Sequence, residues 1–160
     1  MAIMTKREGL GFESEINSDT VALNGLIEHI LQAGSADVHA MRDPTRGGLA
    51  AALNEFAHSS QVTIRIKQDL IPVRKEVSGA CEILGLDPLY VANEGKMIVC
   101  VAKSSADKVL KAMKEHPLGK ESAIIGDVKK DKAGLVTMQT PIGAWRIVDT
   151  LVGEQLPRIC

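Results

Sequence analysis

The stretch TRGGLAAALNEFAHSSQVTIRIK, residues 45–67, carries the two periodicities on which the fold turns. Its first part sets Leu49, Leu53 and Phe56 at helical spacing, which gives one apolar stripe. Its last seven residues, QVTIRIK, alternate instead. Val62, Ile64 and Ile66 face one way, and Thr63, Arg65 and Lys67 the other. That is the pattern of a half-buried strand, so a helix runs directly into a strand here.

The same reading extends outward. AIMTKRE near the start offers a few residues of strand character. Ser18 or Asp19 is expected to cap a helix that turns Val21, Leu23, Leu26, Ile27, Ile30 and Leu31 inward and stops at Gly34. DVHAM, residues 37–41, is a short strand candidate. Beyond the opening stretch, Pro72 opens a helix containing Val77, Cys81 and Leu84, closed by Gly85. KMIVCVA, residues 96–102, is a continuous apolar strand expected to be covered on both faces. Ser104 or Ser105 is expected to cap ADKVLKAMKEH, with Val109, Leu110 and Met113 inward. SAIIGDV, GLVTMQT and AWRIVD then supply two or three late strands. Helices and strands alternate first and strands cluster late, which predicts an α+β fold with a mixed β-sheet packed by helices. Residues 1–152 form the expected domain, and 153–160 a mobile tail.

Composition narrows the function. The 160 residues are about one domain's worth, 45% hydrophobic and 24% charged, with a formal net charge of −1. Basic residues do not gather in one run, so neither nucleic acid nor an anionic membrane is an expected partner. The aromatics are only Phe12, Phe56, Tyr90 and Trp145, too few for a base-stacking platform. No apolar run nears the roughly 18 residues that span a bilayer, and the start lacks the apolar segment of a signal peptide. Cys81, Cys100 and Cys160 show no CxxC spacing, which favours a reducing cytoplasm over a disulfide framework. Cys81 and Cys100 fall on apolar faces and read as core residues. His29, His39, His58 and His116 have no paired-ligand spacing, and no metal site is expected.

Three stretches could carry chemistry. In MRDPTRGG, residues 41–48, a strand delivers the chain to Asp43, Pro44 stops it, and Thr45, Arg46, Gly47 and Gly48 lead into a helix. Glycines permit close backbone approach, helix N-terminal amides favour anions, and Arg46 could grip a phosphate or carboxylate. The other reading is a helix start whose glycines serve packing. In YVANEGKMIVCV, residues 90–101, Asn93, Glu94, Gly95 and Lys96 precede the apolar strand. Glu94 suits a general base if it is partly desolvated, or else is a loop carboxylate paired with Lys96. This is no phosphate-binding P-loop, because GxxxxGK[ST] is missing. In EHPLGK, Pro117 and Gly119 read as a helix stop and a turn.

The third is GEQLPRIC, residues 153–160. Pro157 keeps this tail out of helix and discourages strand pairing. In an extended chain Arg158 projects to the same side as Cys160, where its charge would favour the thiolate and oppose the terminal carboxylate, which disfavours it. The arm reaches roughly 26 Å. A CaaX lipidation signal needs three residues after the cysteine, and none follow.

MRDPTRGG, NEGK, HPLGK and PRIC together, in this order, resemble the HypE family of hydrogenase maturation factors. That family lies within the superfamily of aminoimidazole ribonucleotide synthetase and selenophosphate synthetase. The resemblance covers the whole chain but only the second half of the family's proteins, and RDPTRGG alone would indicate only the wider group. It implies the superfamily's C-terminal α+β domain, with the N-terminal ATP-binding half absent from this sequence. It further implies that Cys160 accepts a carbamoyl group from the carbamoyltransferase HypF. ATP then activates the carbamoyl oxygen, a base removes the nitrogen protons, and the resulting thiocyanate donates cyanide to iron on a HypC–HypD scaffold. By the same resemblance Glu94 is the base, Asp43, Thr45, Arg46, Gly47 and Gly48 line the cleft near phosphates or tail, and Asn93 orients the carbamoyl amide. Pro157 and Arg158 position the tail. ATP and Mg would be bound mainly by the other half, full-length proteins would be homodimers, and this polypeptide alone would be inactive. The alternatives are a non-catalytic carrier or docking module and another synthetase of the superfamily.

Overall fold

The computed structural model describes residues 17–150. The AIMTKRE strand, the tail 153–160 and its residues Pro157, Arg158 and Cys160 lie outside the described residues. Along the chain run α1 (Asn24–Gly34), β1 (Val38–Arg42), α2 (Gly48–Ser60), β2 (Thr63–Lys67) and α3 (Lys75–Leu84). Then come β3 (Ile98–Val101), α4 (Ala106–Glu115), β4 (Gly126–Lys129), β5 (Leu135–Gln139) and β6 (Trp145–Ile147). The fold is α+β, as expected.

Among the described residues the strands form two sheets. The larger has the order β4-β2-β5-β6 and is mixed, with β2 parallel to β5 and the other pairs antiparallel. Its inner face presents Ile64, Ile66, Val136 and Met138 to α2, whose Ala50, Leu53 and Ala57 complete a core with Leu89 and Val148. Small residues on α2 let the helix lie close to the sheet. Each fully buried large side chain here contributes about 1.5–3 kcal/mol.

QVTIRIK behaves as its alternation predicts, except at Thr63, which is buried. The cause is topological. β4 and β5 flank β2 on opposite sides, so the segment between them must cross the start of β2. In crossing, it donates from Gly134 N–H and Leu135 N–H to the Val62 carbonyl, at 3.1 and 3.3 Å. The Thr63 hydroxyl donates to the Lys132 carbonyl at 2.5 Å and accepts from Lys132 N–H at 3.2 Å.

The smaller sheet is the antiparallel pair β1–β3, bulged between Val38 and Ala40. It packs on α1 and α4, where Leu26, Ile30 and Val109 form a second cluster with Val38, Met41, Val99 and Val101 around them. Ile98 packs on the larger core while Val99 and Val101 pack on the smaller, so β3 bridges the two. Its residues are nonetheless half-buried rather than enclosed.

Two expected caps are not made. α1 starts at Asn24 without a side-chain cap, because Asp19 turns to Lys96 and the Ser18 hydroxyl to Thr20. Val21 therefore precedes the helix, and it and Leu31 are exposed. Ser105 does sit at the N-cap of α4, but its hydroxyl donates to the Asp37 carboxylate. α3 begins at Lys75, three residues after Pro72, and Gly85 closes it at φ 64°.

Candidate functional site

The MRDPTRGG and NEGK segments meet at one end of the smaller sheet. β1 ends at Arg42, whose guanidinium pairs with Glu55 of α2. Asp43 is exposed and Pro44 buried, and the Pro44 carbonyl accepts a hydrogen bond from Asn93 N–H at 3.0 Å. That bond joins the two motifs directly.

The glycines explain themselves by packing. Gly48 has φ 64°, and a Cβ there would lie 2.5 Å from the Leu89 carbonyl oxygen and 2.8 Å from that of Val91. The close approach that Gly48 permits is therefore to the chain's own segment 89–91, which leads into NEGK. Gly47 has φ 67°, and a Cβ there would sit 2.7 Å from that of Ala51. Both φ values favour glycine.

Asn93 is tied into its own loop. Its Nδ2 donates to the Val91 carbonyl at 2.6 Å, and its Oδ1 accepts from Lys96 Nζ at 3.0 Å. Lys96 also donates to Asp19 at 2.8 Å. Burial pulls the Asp19 carboxyl upward, but the hydrogen bond and charge of Lys96 outweigh it and hold the group below its ordinary value.

Beside this network opens a cleft of about 500 Å³. Val21, Leu23, Ile27, Met41 and Met97 make its apolar walls, and Arg42, Asp43, Glu94 and Lys96 its polar ones. Glu94 is exposed to it. The structure thus brings Asp43 and Glu94 into one cavity with Asn93 beside them. Thr45, Arg46 and Gly47 stay on the adjoining loop, and Gly48 lies beneath it. Glu94 is exposed rather than partly desolvated, so what the fold supplies for proton transfer is its place on the cleft wall and not burial. No group of three or more His, Cys, Asp or Glu side chains that could hold a metal ion occurs among the described residues. Burial raises the thiol pKa of both Cys81 and Cys100, but only Cys81 is a core residue as expected, whereas Cys100 on β3 is half-buried.

Two members of the site gave no usable signal beforehand. Lys96 lies inside NEGK and reads there as the alternative partner of Glu94, but nothing in the sequence marks its bonds to Asp19 and Asn93. Asp19 read as a helix cap, and its pairing with Lys96 spans 77 positions.

Comparison with known proteins bears on this geometry. Residues 1–139 match the family model of the AIR synthase related protein, C-terminal domain. The carbamoyl dehydratase HypE of Rhizobium leguminosarum bv. viciae is 55% identical over 160 residues, all of this chain and 46% of that protein. The chain thus spans about half the length of the curated relatives it matches. The crystal structure of hydrogenase maturation protein HypE in complex with ATP superposes with a TM-score of 0.91 at 44% identity, covering 99% of this chain and 48% of that one. HypE in a HypE–HypF complex superposes with a TM-score of 0.87 at 44% identity, over 93% of this chain and 48% of that one.

Proposed function

Since the chain belongs to the AIR synthase related protein family, whose C-terminal domain it carries, we propose that it is the C-terminal half of a HypE-type carbamoyl dehydratase acting in hydrogenase maturation. One observation carries this most: identity of 55% to a carbamoyl dehydratase over the full 160 residues. The cleft that holds Asp43 and Glu94 together supports it.

In this reading Cys160 carries the carbamoyl group as a thiocarbamate, loaded by a HypF-type transferase. The carbamoyl oxygen attacks the γ-phosphorus of ATP and ADP leaves. Glu94 accepts a proton from the nitrogen, the C–O bond breaks with loss of phosphate, and a second proton is lost. The sum is thiocarbamate plus ATP to thiocyanate, ADP and phosphate. The cyano group is then passed to iron held by HypC–HypD. Asp43, Thr45 and Arg46 border the phosphate path, with Gly47 and Gly48 shaping the loop, and Asn93 keeps the NEGK loop in place. Pro157 and Arg158 guide the tail.

Mg, when bound, would supply charge neutralisation at the phosphates. No group of three carboxylate, His or Cys ligands occurs among this chain's described residues, so the metal's ligands are assigned to the other half. The rest of the ATP site, and the contact of a homodimer, belong to the half that this sequence does not contain. Assembly in the cytoplasm fits the same reading, and no helix among the described residues is long and apolar enough to cross a membrane.

This polypeptide alone should accept carbamoyl at Cys160 without dehydrating it. The test is the mass of the Cys160 peptide after incubation with ATP, carbamoyl phosphate and the transferase. A carbamoyl adduct that disappears in Cys160→Ala is expected. A cyano adduct formed by this polypeptide alone would refute the division of labour, and no adduct at all would refute the reading.

A further inference from the structure

Glu94 is gripped on both sides by contacts that converge on one distant residue. Before it, Asn93 is fixed by Pro44, Val91 and Lys96, at 3.0, 2.6 and 3.0 Å. After it, Gly95 packs so tightly on the Asp19 carbonyl that an added Cβ would lie 1.6 Å from that oxygen. The Asp19 carboxylate meanwhile takes a hydrogen bond from Lys96 at 2.8 Å. Asp19 thus braces the loop twice, through its backbone at Gly95 and its side chain at Lys96.

The brace is a poor device for folding stability. The Lys96 and Asp19 side chains are 51% and 38% exposed, and ion pairs this open contribute little. As a device for placing a side chain it is well suited, since a displacement of about 1 Å at a reacting group can cost about 100-fold in rate. We infer that Asp19 and Lys96 are positioning residues that aim Glu94 into the cleft and balance the charge around it. The inference rests on Glu94 being the base proposed above. The other charged groups on the cleft are Arg42, which is occupied by Glu55, and Asp43.

Opposite charges in the brace give opposite signatures. In the full-length protein, single-turnover dehydration of the carbamoylated Cys160 is followed against pH for Asp19→Asn and Lys96→Met. Each variant should lose about tenfold in rate with little change in ATP KM, as expected for a misplaced base. Asp19→Asn leaves Lys96 uncompensated, so the acid limb of the profile should move to lower pH. Lys96→Met leaves Asp19 uncompensated and should move it to higher pH, each by about 0.3 unit for one charge across an open cleft. Lys96→Arg should restore most of the rate. Limbs that stay put or move in the same direction overturn the inference. Should Lys96→Met fail to fold, the sign of the Asp19→Asn shift decides alone. Glu94→Gln separates the two levels: full activity there removes the base and the brace together. If Glu94→Gln is inactive and the other limbs are unmoved, only the brace falls.

Discussion

The two ends of this domain are held together by different physics. Around α2 and the four-stranded sheet, apolar side chains from distant strands interlock, and Met138, Ile66 and Val136 are at most 1% exposed. Around the cleft the organising contacts are a backbone bond from Asn93 to Pro44, two hydrogen bonds from Lys96, and glycines pressed on carbonyls. Hydrophobic burial is strong but non-directional. Hydrogen bonds and close backbone approach contribute less free energy and set orientation more narrowly. The larger sheet therefore serves as ballast, and the cleft end as the part that must hold a geometry.

Substitutions can break that contrast, starting with the largest expected effect. Met138→Ala empties a fully buried site and should cost about 3–5 kcal/mol in chemical denaturation. Val109→Ala, in the smaller cluster, removes less volume and should cost about half as much, roughly 1.5–2.5 kcal/mol. Equal losses would mean that the two cores are not distinct in weight.

Gly48→Ala falls between these two, at about 2–4 kcal/mol, from a left-handed φ and a Cβ driven onto the 89–91 backbone. It should lower the melting temperature and also disturb amide-exchange protection at Asn93, because segment 89–91 leads into that loop. A clean loss of stability with Asn93 unchanged would uncouple the two motifs.

The smallest effect belongs to Asp19. Its carboxyl is held below the ordinary value of 3.8, so its stabilising contribution is present above that pH. It is lost as pH falls through the lower folded-state value. Asp19→Asn should therefore cost at most about 1 kcal/mol at neutral pH, given how exposed the pair is, and nothing once the medium is more acidic than the folded-state value. A loss of several kcal/mol, or one that grows toward acid, would make this pair a structural element rather than a brace.

Much of the architecture was legible in advance where the pattern is local. The alternation of Ile64 and Ile66, the helical stripe of Leu49, Leu53 and Phe56, and the helix stop at Gly85 all appear in the structure as read. Two of the misreadings come from competition between partners for a single polar group, and a third from topology. Ser105 has the right position to cap α4, yet its hydroxyl goes to Asp37. Asp19 could cap a helix by its spacing, yet Lys96 takes it. Thr63 obeys the strand alternation and is buried anyway, because a crossing segment covers it. Of the candidate site, Asp43, Asn93 and Glu94 were visible as motif residues, whereas Asp19 was not.

By itself the sequence determined the elements, the α+β class and the resemblance carried by four short motifs. These rest on periodicity, glycine and proline constraints and residue identity, all of which act over a few positions. Only the tertiary structure decided that β2 pairs in parallel with β5, that segment 89–91 fills the space over Gly48, and that Asp19 reaches the NEGK loop from 77 positions away. Such contacts are chosen by which surfaces the packed core leaves adjacent, and no local pattern encodes that adjacency.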